Sequence, residues 1–278
     1  MRRALVEVGV HAVLIAATGF ALYPLLWVLS TALSHGELSE LRAWPVARGL
    51  SLEHFREVLL GGGSVRLFLA QLLNSFGISA ATALLALALS APGAYALSRF
   101  EFFGKRRGLE LLAATQLFPG VAAAIPLYLI LDWLRLLDTR SGLVLVYAST
   151  AVPFAIFQLR AAFDAIPREL EEAALVDGAS QFQAFRRIIL PAVRPALATT
   201  GLFAFMGAWN EFILAATFLS REELFTLPMV LQRYVGEHDS RWGPFAAGAI
   251  LVSIPVMLLF LWLQRHVVSG VTAGAVKG

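Results

Sequence analysis

Long uncharged runs alternate with short polar stretches along this chain, and the alternation predicts where helices cross a bilayer. Residues 8–34 hold no Asp, Glu, Lys or Arg and exceed the roughly 20 residues that a helical crossing needs. Residues 67–98 and 111–131 are equally free of charge. Pro119 and Pro126 are expected to bend the third run. A fourth run follows at 141–163. The fifth, 195–220, is interrupted by the polar pair Asn210 and Glu211, and the sixth is 242–264. The chain is thus expected to be all-α, a single membrane domain over 1–278 with six transmembrane helices. A cleaved signal peptide competes for the first run, but its apolar length is about twice a signal core and favours a retained anchor.

Six crossings put both termini on one side. With that topology, thirteen of the 22 Lys and Arg residues fall on the side of the termini and nine on the other. The cluster Lys105, Arg106 and Arg107 and the arginines near 186–194 mark that side as cytoplasmic, because basic loops stay inside. Between the runs, residues 35–66 are polar. Leu52, Phe55, Val58 and Leu59 mark one face of a short amphipathic helix there, which Gly61, Gly62 and Gly63 should end. Residues 132–140 form a tight outer turn, 221–241 an outer segment, and 265–278 a cytoplasmic tail rich in small residues.

One polar stretch is different in kind. Residues 167–195 are too polar for hydrocarbon yet lie between two apolar runs. Pro167 suits a first helical turn, and Glu169, Glu171 and Glu172 sit where a helix N-terminus favours negative charge. Gly178 should stop that helix in the left-handed conformation. Ser180 and Gln183 have capping-box spacing for a second helix, on which Phe182, Phe185 and Ile189 recur at helical spacing and which Pro191 should end. Arg186 and Arg187 occupy its last turn, where cations are favourable. Two readings of this hairpin stand side by side: a rigid knob presented to a soluble partner, or amphipathic helices lying on lipid headgroups.

Composition narrows the function classes. Hydrophobic residues make up 58% of the 278 and charged ones 15%, far from the charge content of soluble domains. Cysteine is absent, which excludes disulfides and thiolate chemistry. The net charge of +3 is spread over many loops, so there is no basic stripe for nucleic acid. No Walker A, His-Glu-x-x-His or Gly-x-Ser-x-Gly pattern occurs, and the five histidines are scattered. The chain is therefore read as non-enzymatic, without cofactor or metal of its own, and energy from ATP would have to come through another subunit. A carboxylate at membrane depth is costly unless paired, hydrated or protonated. Glu211 with Asn210 and Trp209 therefore either borders a solute path or fixes helix register by accepting hydrogen bonds, and a proton-coupling role would need a relay that the sequence does not display.

Glu172-Ala173-Ala174, three residues, Gly178, nine residues, Ile188, one residue, Leu190-Pro191 resembles the EAA signature of membrane subunits of binding-protein-dependent ABC importers. Asn74-Ser75, residues 94–100, 125–128, 209–212 and the closing 272–278 extend the resemblance to the sugar-permease branch, specifically MalG-like subunits of maltose and trehalose-type systems. The resemblance implies a type I importer permease fold in which residues 167–191 form the coupling helix that docks on a cytoplasmic ATPase, with Glu171, Glu172, Ala173, Ala174, Asp177, Gly178, Ala179, Ser180, Phe182, Phe185, Ile188, Leu190 and Pro191 as coupling positions. It further implies a second homologous permease, two ATPase copies that bind the ATP, an extracellular solute-binding protein and a sugar substrate. Asn74, Trp209, Asn210 and Glu211 become candidates for the translocation path, and Tyr234, Gly236 and Trp242 for contact with the binding protein. A glycerophosphate or polyol importer is the alternative within this class; a secondary transporter or channel is the alternative outside it.

Overall fold

The computed structural model describes residues 2–36, 44–47, 49–60, 64–236 and 240–275, with side chains placed between 6 and 264 among these. Among the described residues every regular element is helical. The chain divides into two compact units, one made of Met1–Ala70 and Met229–Pro255, the other of Gln71–Pro228 and Val256–Gly278.

In the first unit, α1 (Arg2–Leu33) is exposed on all sides over residues 6–26. A helix with apolar side chains all round and no buried face is suited to lipid or to another membrane subunit. Only its last turn is covered: Thr31, Ala32 and Ser34 are buried, and the Leu33 carbonyl accepts from the Ser51 N–H at 2.9 Å. The second helix, α2 (Glu53–Leu60), is held there by Glu53, which accepts from the Gly36 N–H at 2.6 Å and pairs with His35 Nδ1 at 2.8 Å. That backbone bond, with His35 beside it, holds the Glu53 carboxyl below its ordinary value.

The buried face of α2 is not the one expected. His54 and Val58 are buried, whereas Leu52 is exposed and Phe55 and Leu59 are half-covered. The reason lies at the start of α13 (Trp242–Ala275), where Gly243 leaves room for the His54 ring to lie against the backbone; any Cβ there would overlap it. Gly248 makes similar room for Leu231 and Val58. The expected glycine stop at 61–63 lies outside the described residues. The helix α13 continues through Ala275, so the tail expected from residue 265 is helical over most of its length.

The second unit holds the longer bundle. Within it lie most of α3 (Val65–Arg99), then α4 (Lys105–Leu117), α5 (Ala124–Trp133), α6 (Arg140–Asp164), α7 (Glu169–Val176), α8 (Gln181–Ala184), α9 (Leu190–Ala192), α10 (Arg194–Asn210) and α11 (Ile213–Phe218). The short α12 (Leu227–Gln232) lies across the boundary between the two units. Among the described residues, four helices are long and apolar enough to cross a bilayer, and two bent pairs would raise that to six.

One bent pair covers the third expected span, where Pro119 and Pro126 are expected to bend the helix. Residues 105–117 and 120–133 meet at 99°. Pro119 excludes helical backbone at the residue before it, and Phe118 is extended at φ −82°, ψ 127°. Pro126 bends nothing, because it lies in the first turn of α5, where its missing N–H has no helical partner to lose.

The core of this unit joins α3, α6 and the hairpin region: Ala91, Ala94, Tyr95, Ile156, Leu159, Phe163, Ile189 and Val193 form one buried cluster. Gly201 allows α10 to approach Leu87 of α3, since a Cβ there would stand 2.9 Å from the leucine Cδ1. Small residues permit this kind of close helix approach in a membrane.

Candidate coupling hairpin and membrane cleft

The polar stretch folds as a hairpin of short helices. Three glutamates occupy the first turn of α7. The helix closes with the Gly178 N–H donating to Leu175 O at 3.1 Å and the Ala179 N–H to Ala174 O at 2.9 Å, around Gly178 at φ 86°. This is the paired closure that a left-handed glycine permits. Both capping-box bonds expected at the next helix are present: the Ser180 N–H donates to Gln183 Oε1 at 2.8 Å, and the Gln183 N–H to Ser180 Oγ at 3.3 Å.

Pro191, however, does not end this helix, which was the expectation. Residues Phe185–Ile189 form a π turn, and helical backbone continues through Leu190–Ala192. Proline interferes with the carbonyl four residues earlier and offers no N–H. The wider turn, with Leu190 N–H donating to Phe185 O, accommodates Pro191, and the helix stops one residue later, at Ala192.

The hairpin has two faces, and the thirteen expected coupling positions divide between them. Glu172, Ala173, Asp177, Gly178, Ser180 and Phe182 are exposed, together with Leu175 and Val176, the latter 87% exposed. Glu171 and Ala174 are buried, while Ala179, Phe185, Ile188, Leu190 and Pro191 are half-covered; Phe185 packs on Tyr95 and Phe163. The thirteen thus fall into six exposed positions and seven that are buried or half-covered.

Glu171 is the centre of the inward face. It accepts hydrogen bonds from the Tyr95 hydroxyl and the Gln181 amide. Arg99 Nε lies 3.1 Å from its other oxygen, with both side chains at most 7% exposed. Gln181 also donates to the Tyr95 oxygen at 2.9 Å. Around this centre, Arg99 Nη2 donates to Ile166 O at 3.0 Å, Ser98 Oγ to Asp164 Oδ1 at 2.5 Å, and Arg168 Nη2 to Ser98 O at 3.5 Å. Tyr95, Arg99 and Gln181 escaped the sequence reading. Tyr95 and Arg99, one helical turn apart where an uncharged run gives way to charge, were the available signal.

The candidate path residues separate as well. Asn74 is buried and fully employed: its amide donates to Glu223 O at 2.6 Å and Phe225 O at 3.3 Å, and its oxygen accepts from Arg140 Nε at 2.7 Å. It latches the 222–225 segment. Trp209 is buried and stacked on Phe205. Asn210 is exposed at the end of α10, with its amide donating to Met206 O.

Glu211 breaks the fifth span and restarts it. Its Oε1 accepts from the Leu214 N–H at 2.8 Å; its Oε2 accepts from the Ala215 N–H at 3.0 Å and from the Tyr147 hydroxyl at 2.6 Å. It thus caps α11, satisfying N–H groups that a helix start leaves open. The same carboxylate borders a cavity of about 200 Å³ between α6 and α10, lined also by Thr150, Phe154, Thr200 and Phe203. Phe154 and Phe203 meet edge to face at 6.0 Å, and the Thr200 hydroxyl is buried without a protein partner.

In the first unit, Gly236 and Trp242 are exposed, and Tyr234 is half-buried beside the Glu57–Arg241 ion pair. Burial, and then Glu57, push the Tyr234 hydroxyl above its ordinary value. Among the described residues no cluster of His, Asp and Glu could hold a metal ion.

Comparison with known proteins accords with this geometry. The chain is 36% identical to the trehalose transport system permease protein SugB of Mycobacterium tuberculosis, over 94% of each chain. It is 33% identical to the maltose/maltodextrin permease MalG of Vibrio vulnificus, over 96% of this chain and 95% of that one. A chain from the crystal structure of a bacterial ABC transporter involved in the import of alginate superposes with TM-score 0.78 and 28% identity, over 95% of this chain and 98% of that one. Residues 90–273 match the family described as binding-protein-dependent transport system inner membrane component. With an all-helical fold of the type I importer permease kind, the chain belongs to that family of non-enzymatic membrane transport subunits.

Proposed function

We propose that the chain forms half of the translocation path of an ABC importer for a di- or oligosaccharide and couples a partner ATPase to alternating access. The observation that carries this is the hairpin at 167–193. Its outer face offers the exposed apolar side chains Leu175, Val176 and Phe182 among acidic groups, and its inner face is fastened to the bundle. A surface of that kind, with exposed apolar side chains set among charges of both signs, suits docking to a soluble subunit.

In this reading the partners are a second homologous permease, two ATPase copies that bind ATP, and an extracellular solute-binding protein that meets the region of Tyr234, Gly236 and Trp242. The chain binds no cofactor or nucleic acid itself, sits in the inner membrane of a prokaryote, and has both termini in the cytoplasm. Sugar as the solute is supported by the names of the relatives and by the cleft beside Glu211, where aromatic faces adjoin hydroxyl groups. Closure of the ATPases would drive the hairpin and, through it, the helices around that cleft.

The test is reconstitution with the ATPase and binding protein encoded nearest the gene. ATP-dependent uptake of a labelled disaccharide, absent when the ATPase is omitted, is expected. Uptake independent of any ATPase would assign the chain to the secondary transporters, and uptake of glycerophosphate or a polyol in place of sugars would move it to the alternative substrate class.

A further inference from the structure

If residues 167–193 receive a stroke from an ATPase, the way they are joined to the rest of the chain decides which helices move. There are two junctions, and they differ in kind. The covalent one leads from α9 into α10 and passes a 76° bend. Val193, between them, departs from helical backbone at φ −95°, ψ 13°, and Pro191 and Pro195 withhold backbone donors on either side. This junction redirects the chain, with Val193 held in the same buried cluster as Tyr95 and Phe163.

The other junction is made of side chains. Glu171 receives the Tyr95 hydroxyl and the Gln181 amide, faces Arg99 at 3.1 Å, and is buried. Arg99 and Ser98 also reach Ile166 and Asp164 at the end of α6. A buried ion pair contributes little net stability against apolar alternatives, but it penalises every arrangement that leaves either charge alone, and so it fixes one geometry. Two neutral donors on the same carboxylate, the Tyr95 hydroxyl and the Gln181 amide, narrow that geometry further. Beneath them, Tyr95, Phe163 and Phe185 pack in mutual ring contact.

We infer that Tyr95, Arg99 and Gln181 are positioning residues that lock the hairpin, through Glu171, to the cytoplasmic ends of α3 and α6, so that an ATPase stroke is delivered to those two helices as a rigid body. The inference rests on the importer reading above and adds the route of the stroke to it. Glu171 is therefore a transmission residue and not a docking residue, in contrast to Glu172 beside it on the exposed face.

The experiment uses the complete reconstituted importer with Tyr95→Phe, Glu171→Gln, Arg99→Gln and the double variant Arg99→Gln/Glu171→Gln. Three quantities are read: ATPase retained on the purified complex, ATP hydrolysis stimulated by the binding protein, and solute moved per ATP. The clamp predicts near-normal ATPase retention and hydrolysis in Tyr95→Phe, with solute per ATP reduced by roughly three- to thirtyfold, the range of coupling changes a linking residue commands. Where a single charge variant fails to assemble because it strands the other charge, the double variant restores assembly yet remains uncoupled. Unchanged solute per ATP in Tyr95→Phe and in the assembled double variant overturns the clamp while leaving the importer reading intact. A wild-type complex that holds no ATPase overturns the importer reading, and the clamp with it.

Discussion

At the scale of single residues, Glu211 is the clearest case of a side chain whose type was legible and whose task was not. The sequence exposes a carboxylate at membrane depth, and cost alone requires that it be paired or wet. It cannot reveal that Tyr147, 64 positions away, supplies a hydroxyl, or that two N–H groups three and four residues on turn toward it. With three donors on one carboxylate, Glu211→Ala is expected to destabilise the assembled protein by about 2–4 kcal/mol, the scale of stranding buried donors. A lower melting temperature in detergent checks this. Glu211→Gln keeps the shape and is expected to lose less than half as much, with near-normal uptake per assembled complex. Loss of uptake from a stable Glu211→Gln complex would instead place the carboxylate in the solute path.

Asp138 offers a second test at this scale, outside the membrane. Burial raises its carboxyl pKa, but N–H donors from Ser220 and Arg221 and the Arg221 guanidinium at 2.6 Å outweigh that and lower it. A depressed folded-state pKa contributes stability above the unfolded value and loses it as pH falls through the folded one. Thermal stability of the wild type should therefore drop between mildly acidic and strongly acidic pH by more than that of Asp138→Asn. Equal acid sensitivity of the two proteins would remove Asp138 from the list of groups that hold the 219–222 segment.

At the scale of elements, helix ends were easier to read than helix breaks. The closure at Gly178 and the capping box at Ser180 and Gln183 follow from local chemistry, since each needs only its neighbours in the chain, and both fall where spacing puts them. Breaks depend on what else is packed nearby. Pro191 sits inside helical backbone because a π turn absorbs it, Pro126 lies in a first turn, and Pro119 alone divides a span. Burial of individual hairpin positions was likewise out of reach, because helical periodicity defines faces but not which face meets α3. The partners of Asn74 and Trp209, a carbonyl pair and Phe205, are equally beyond what periodicity can name.

Gly178 gives the prediction at this level. At φ 86° it occupies backbone that side chains rarely adopt, yet a Cβ there would meet nothing within 4 Å. Gly178→Val therefore introduces strain of about 1–2 kcal/mol without a clash. The variant is expected to fold and insert, and to lose ATPase-coupled uptake as the exposed face around Val176 and Asp177 is distorted. Normal uptake per ATP would show that the turn tolerates the change and that its geometry is not read by a partner.

At the scale of the whole molecule, the apolar runs announced a membrane protein, and the alternation with polar loops located most of its helices. What they leave undetermined is which apolar surfaces face lipid and which face protein. The exposed length of α1 carries the composition of both. The proposed function requires at this scale that the hairpin have a clamped inner face and an outer face directed at an ATPase in the cytoplasm.

The absence of cysteine from the chain makes that claim directly measurable. Val176→Cys places a single thiol on the outer face of the hairpin. In the assembled importer it should form a cross-link to the ATPase subunit through a short thiol-to-amine reagent, with a yield that changes when ATP is trapped. It should also resist a membrane-impermeant maleimide applied to intact cells. Labelling from outside, or a thiol that reacts freely in the cytoplasm but never captures an ATPase, would contradict the account.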